Sequence, residues 1–233
     1  MKQKIEKWQR DAVRIRGAVV KLADYRRWNH VYEEIVRANP ALRAGMPVLD
    51  YFRNIYADYA IMAVRRQAKP HRDAVSMFDL LKDLEENHAF ISRSWTRELY
   101  RKPHASGFAY DEEMAHRLAD STFAKFADAS GEYLSKEMVA KDRDALTAAT
   151  GDIVTHSDKH VAHDQRSQQQ ASATFDDLNR AVDVLEELTR RYVLILTGES
   201  LLSIVPYDTT NSISLFRFPW IDPKHPPAFG DTV

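Results

Sequence analysis

Apolar residues recur at steps of three and four through most of this chain, and few helix breakers interrupt them. Ile5, Trp8, Ala12, Ile15, Val19 and Leu22 make one such series, and Trp28, Val31, Tyr32, Ile35 and Val36 continue it. Phe175, Leu178, Val182, Leu185, Leu188, Tyr192 and Leu196 make another. With 7 Gly and 9 Pro among 233 residues, long helices are favoured over a turn-rich sheet. The expected fold is therefore all-α, an antiparallel bundle of about six helices in one domain over 1–199, with an irregular tail over 200–233.

Local signals place the helices. Asn39-Pro40 and Gly45-Met46-Pro47 separate the first helix from a second that ends near Lys69-Pro70, and Pro47 suits a first turn. In the first helix a break or bend is expected near Gly17 or Asp24. In the second, Phe52, Ile55, Tyr56, Tyr59, Met62 and Ala63 are read as the core stripe. Ser76 with Asp79 reads as a cap, followed by helical spacing at Phe78, Leu81, Leu84, His88 and Ile91. His88 is read as a core-edge residue. Arg101–Tyr110 reads as a loop, Asp111–Asp128 as a helix, and about 132–165 as a long polar helix with a kink at Gly151. Ser167–Ala173 is a polar linker. Thr174 with Asp177 caps the last helix and Gly198 ends it. In the tail, Ile213, Leu215, Phe216, Phe218 and Trp220 alternate with prolines, which reads as an extended segment packed on the bundle.

Composition narrows the function classes. The net charge of −1 makes the whole molecule no attractor for nucleic acid, so any such binding needs a local patch. One candidate lies between Lys2 and Arg27, where nine Lys or Arg stand against three Asp or Glu: either a solvated helix face or a phosphate-facing surface. The absence of Cys excludes disulfides, thiolate metal sites and cysteine nucleophiles. No apolar run approaches the ~18 residues that span a bilayer. The charged start of the chain lacks a signal-peptide core, so the expected setting is cytoplasmic, with no membrane partner.

Three of the nine histidines fall in the stretch Thr155–Gln165. On a helix, His156, His160 and His163 would share a sector of roughly 60°, because i, i+4 and i+7 lie on one face. Asp152 stands one turn before His156, and Ile153, Val154 and Val161 occupy the neighbouring sector. Three chemistries compete for this stripe. His156, His160 and His163 could grip a metal ion, although the stretch has no His-Glu-x-x-His and no repeated Glu-x-x-His. The stripe could do acid–base work on RNA, since a histidine exchanges a proton near neutrality and Lys159, at i−4 from His163, could stabilise phosphate charge. Or it could be a polar seam between helices or between two copies of the chain.

The run Asp158-Lys159-His160-Val161-Ala162-His163-Asp164 resembles the signature of the HEPN superfamily in its abortive-infection-associated branch, where the local pattern often reads Arg-Asp-Lys-x-x-Ala-His-Asp. The segments Met62–Gln67 and Val75–Leu84 are similar to the paired helices that precede the motif there, so the resemblance spans about Asp50 to Leu196. It implies a helical homodimer from a bacterial defence or toxin–antitoxin system. Such a protein would bind RNA or cleave it without metal or cofactor. The resemblance gives His163 the role of acid or base and Asp158 the motif's polar position, with Lys159 or His156 toward phosphate. It also allows an antitoxin or nucleotidyltransferase partner. The departure is at Ser157, which stands where the family has Arg and cannot offer a bidentate guanidinium. His156 or Lys159 would have to substitute, an arginine such as Arg65 or Arg66 would have to reach in from another helix, or the chain would be a non-catalytic dimerisation and partner-binding module.

Overall fold

A helix interior tolerates glycine when the surrounding turns are held by packing, and α1, Lys2–Ala38, shows this. It runs unbroken through Gly17 and Asp24, correcting the expected break. Ile5, Trp8, Ala12, Ile15, Val19 and Leu22 are all buried along one stripe, and that continuous burial outweighs a glycine cost of about 1 kcal/mol. The computed structural model describes residues 1–38, 47–70, 74–102, 110–158 and 173–205. Through these residues run α2 Pro47–Ala68, α3 Met77–Glu86, α4 Arg93–Arg101, α5 Glu112–Phe123, α6 Lys136–His156 and α7 Phe175–Thr197. Among the described residues there is no sheet, only two isolated bridges, Ser92 with Tyr133 and Ala127 with Leu134. The protein is an all-α helical bundle.

Helices α1, α2, α6 and α7 enclose the main core, and α1 packs most extensively on α7. That pair is antiparallel. Gln9 Nε2 donates to the Leu196 carbonyl at 2.8 Å, while Arg26, two-thirds of the way along α1, reaches Asp183 and Glu186 at 2.5 Å each. α1 and α2 are antiparallel too: Tyr25 meets Tyr59 and Tyr32 meets Phe52, so advance along one is retreat along the other. α3 docks on α6 and touches α1. α4 and α5 pair with each other around a small separate cluster of Tyr100, Ala115 and Ala119, with Leu99, Tyr110 and Leu118 against it.

Three expected boundaries are corrected. The helix starting after Ser76 ends at Glu86, although apolar spacing continues to Ile91. Asn87 turns its side-chain amide back to the Asp83 carbonyl at 2.9 Å, a single 3-10 turn covers His88–Phe90, and Ser92 caps the separate helix α4. His88 therefore lies in that turn, half-buried, with Nδ1 3.3 Å from the Glu85 carbonyl. α5 stops at Phe123, five residues short of expectation, because Phe126 and Asp128 bond to Ser135 and Tyr133 before α6, on either side of the Ala127–Leu134 bridge. α6 in turn begins at Lys136 under a Ser135 cap, since Tyr133 and Leu134 are taken by the bridges. It passes through Gly151 without a break and ends at His156.

The face of α2 is also rotated from its expected position. Tyr56, Ala60, Ile61 and Val64 are buried, whereas Phe52, Ile55 and Met62 are 49%, 48% and 38% exposed. Small Ala60 lets α2 approach its neighbours closely, and the larger apolar residues are left on the flank. Gln67 is buried as well, and its Oε1 accepts the Met77 N–H at 3.0 Å, which fixes the α2–α3 connection.

Both ends of α7 match the sequence signals. Thr174 Oγ1 accepts the Asp177 N–H, and Asp177 Oδ2 accepts the Thr174 N–H, each at 3.1 Å. At the other end Gly198 has φ +73°, and its N–H donates to the Leu194 carbonyl at 3.0 Å. A side chain at Gly198 would be strained by the positive φ, although its Cβ would meet Tyr100 only at an ordinary contact of 3.5 Å. Replacing Thr174 by Ala is expected to cost about 1 kcal/mol in urea unfolding, the usual value of a lost N-cap. A midpoint unchanged by this substitution would show that the cap contributes nothing. Beyond α7, Leu201, Ile204 and Val205 pack on the core. The rest of the expected extended tail, including Ile213 to Trp220, lies outside the described residues. Among the described residues no helix is long and apolar enough to cross a membrane.

Candidate functional site

The C-terminal end of α6 meets the C-terminal half of α2, and here the histidine-rich stretch begins. Thr150 and Ile153 are buried on α6 and hold its last turns against the core. His156 closes the helix, half-buried, where a basic side chain complements the carbonyl end of the dipole. Ser157 follows in a wider turn and is fully buried. Its N–H bonds back to the carbonyls of Ile153 and Val154, and its Oγ lies 3.5 Å from Met62 Sδ. This side chain therefore faces into the α2–α6 seam.

Asp158 is held by two cations, Arg65 of α2 and Lys69 just past its end. Arg65 Nε donates to Oδ1 at 2.8 Å, and the Lys69 ammonium binds Oδ2. Arg65, in the last turn of α2, and Lys69 are four residues apart, and one carboxylate takes both. The Asp158 side chain is 38% exposed and Lys69 31%, which leaves the trio open to solvent on one side. Two positive charges against one negative leave one net positive charge at the end of α6. Hydrogen bonds from Lys69 first, then Arg65, hold the Asp158 carboxyl below the ordinary carboxylate range, against a smaller opposing effect of burial.

The sign of that shift gives a prediction. A depressed pKa means that the contribution to folding is present above the unfolded value near 3.8 and is lost as pH falls through the folded value. Because the trio is solvent-exposed, its effect on global stability is small. The titration of the carboxyl carbon by NMR is the informative measurement. Lys69→Met should move the Asp158 midpoint up toward 3.8; a midpoint that stays put would rule out Lys69 as the holding charge.

Of the four residues assigned catalytic roles, the structure places His156 and Asp158 at this helix end. Lys159 and His163 lie outside the described residues, as does His160 of the metal alternative. Helix α6, expected to carry the whole stripe to about 165, is described as helix only to His156, so the shared face of His156, His160 and His163 is not part of the described fold. Among the described residues no three His, Asp or Glu side chains gather closely enough to hold a metal ion. Of the two arginines named as able to reach in from another helix, Arg65 bonds to Asp158. Arg66, the other candidate, is exposed on the neighbouring side of α2. In the sequence pattern Lys69 marks only the end of the second helix. Its i, i+4 spacing from Arg65 was the signal that the two could share one anion.

The basic excess of α1 resolves mostly into internal pairs. Lys4 meets Asp83, Lys7 meets Asp11, Arg16 meets Glu199, Arg26 meets Asp183 and Glu186, and Arg27 meets Asp24. Lys4 ties α1 to α3, Arg26 ties it to α7, Arg16 ties it to Glu199 just past α7, and Lys7 and Arg27 pair within α1, so these five form no broad phosphate-facing surface. Comparison of the chain with protein-family models, with curated proteins and with solved structures finds no match in any of the three.

Proposed function

We propose that this protein is a HEPN-like effector of a bacterial defence or toxin–antitoxin system, acting as a homodimer that binds RNA and cleaves it without metal. The observation that supports this reading is the reach of Arg65 from α2 to Asp158, the polar position of the motif. It supplies a guanidinium at the end of α6, where Ser157 cannot. In the proposed reaction His163 removes the proton of an RNA 2′-hydroxyl. The 2′-oxygen attacks the adjacent phosphorus, the bond to the 5′-oxygen breaks, and a protonated imidazole returns a proton to that leaving oxygen. Arg65 and Lys69, with Lys159 or His156, stabilise the charge that develops on the phosphate. Asp158 holds Arg65 and Lys69 in place.

The test uses purified protein and mixed-sequence single-stranded RNA in EDTA. Wild type should cut, and His163→Ala should lower the rate by about 100-fold or more, the usual contribution of a positioned acid–base group. Equal inertness of wild type and His163→Ala on a broad RNA panel would end the enzyme reading. A second reading then takes its place, a non-catalytic module that dimerises and binds a partner such as an antitoxin or nucleotidyltransferase. Its support is Ser157 itself, a fully buried hydroxyl at the position where the resembled motif has a cation.

A further inference from the structure

Two tyrosines from different helices meet on the outside of the bundle, beside cations that the internal ion pairs leave over. Tyr25 of α1 and Tyr59 of α2 have ring centroids 4.5 Å apart, tilted by 46°. Lys21 sits one turn before Tyr25, and its ammonium lies 5.5 Å and 5.6 Å from the two rings. Tyr25 is 40% exposed, and Lys21 is exposed as well. Arg66 stands two turns beyond Tyr59 on the same side of α2, exposed, and its charge acts on the Tyr59 phenol. Neither Lys21 nor Arg66 forms an ion pair among the described residues. The acids nearest in sequence are engaged or turned aside: Asp24 holds Arg27 at 3.0 Å, and Asp58 is one 100° step round α2 from Tyr59.

An exposed ring, Tyr25, backed by the partly buried Tyr59 and flanked by cations outside the ion pairs matches the chemistry of a single nucleic-acid strand. Every base has a face to stack, and every link has a phosphate to neutralise. A duplex hides its base faces and cannot use the rings. The patch lies near the α6 end, because Arg66 follows Arg65 in α2 and Arg65 bonds to Asp158. We propose that Lys21, Tyr25, Tyr59 and Arg66 form a binding site for single-stranded RNA, with a base against the Tyr25 ring and flanking phosphates on Lys21 and Arg66. This inference rests on the RNA reading above and adds to it where the strand lies. RNA crosses the α1–α2 face, and its scissile link comes to the Asp158 end.

The experiment measures binding apart from cleavage. A fluorescent single-stranded oligouridine with 2′-O-methyl groups cannot be cut through its 2′-oxygen, and its affinity is read by anisotropy over a series of salt concentrations. Wild type should bind the strand and bind a matching duplex much more weakly. Lys21→Gln with Arg66→Gln should lower the log–log salt slope by about 1.4, the loss of two phosphate contacts on a single strand. Tyr25→Ala should weaken binding at least about five-fold, the low end of one stacked base, whereas Tyr25→Phe should keep it. Circular dichroism of each variant confirms that the bundle is intact. Affinity and slope unchanged in the variants would overturn the proposal. So would equal binding of duplex, or binding to anionic vesicles without binding to the strand. If these variants lose binding while natural RNA stays uncut by wild type, the strand site stands and the nuclease reading falls.

Discussion

Replacing Asp142 by Ala should remove about 3 kcal/mol of folding stability, a large share of what a domain of this kind possesses. Asp142 lies on α6, only 7% exposed. Its Oδ2 accepts the Tyr192 hydroxyl at 2.9 Å, and its Oδ1 binds the Arg191 guanidinium, both from α7. Truncation to Ala leaves a buried phenol and a half-buried cation without their partner, and that desolvation penalty is the main cost. Asp142→Asn keeps an acceptor for Tyr192 and should cost less. Tyr192→Phe removes the stranded hydroxyl, so the double variant Asp142→Ala, Tyr192→Phe should be less destabilised than the two single effects added. Urea unfolding of the four proteins measures this. A loss under about 0.5 kcal/mol for Asp142→Ala would place it among ordinary surface changes and refute the assignment.

Trp8→Ala should cost about 3–5 kcal/mol, as removal of a fully buried tryptophan usually does. Trp8 has no exposed surface. Its Nε1–H donates to Asp83 of α3 at 2.8 Å, its ring faces Phe90 at 6.2 Å, and Lys4 bridges back to the same Asp83. Trp8→Phe keeps most of the volume and leaves Asp83 paired with Lys4, so a much smaller loss is expected from it. Equal losses in the two variants would mean that the hydrogen bond, not the ring volume, carries the effect. Alkaline pH should weaken the same core. Burial pushes the Tyr56 phenol up to about 12 and raises Tyr192 as well, with the Asp142 charge adding to the rise at Tyr192. A group whose pKa rises on folding contributes fully below its unfolded value near 10 and loses that contribution as pH climbs beyond it.

Where apolar spacing and a cap residue agreed, the sequence located the element. Thr174, Asp177 and Gly198 bound α7 on local chemistry alone, and Ser76 did the same for α3. Apolar spacing misled where a residue was buried for a reason other than helix. Ile91 is fully buried, but it lies after a 3-10 turn, and only Asn87 and Ser92 mark the break. The orientation of α2 was not legible, because large apolar residues at helical spacing occupy both its buried and its exposed flanks. At the candidate site, Asp158 and His156 were visible as a motif fragment. The role of Lys69 depended on how two helices cross, and no local pattern encodes a crossing.

The pairing of α1 with α7 has a consequence for synthesis. The first helix emerges from the ribosome with Ile5, Trp8, Ile15, Val19 and Leu22 facing a partner that has not been made. At ordinary rates of translation that partner follows on the order of ten seconds later. For that interval a long apolar stripe is displayed to whatever is nearby, including other nascent chains on the same message. The internal charges of α1 then have a second use. Lys7 with Asp11 and Arg27 with Asp24 are local pairs that form within the helix itself, so they can keep it helical and soluble before Asp183, Glu186 and Glu199 arrive to complete the rest.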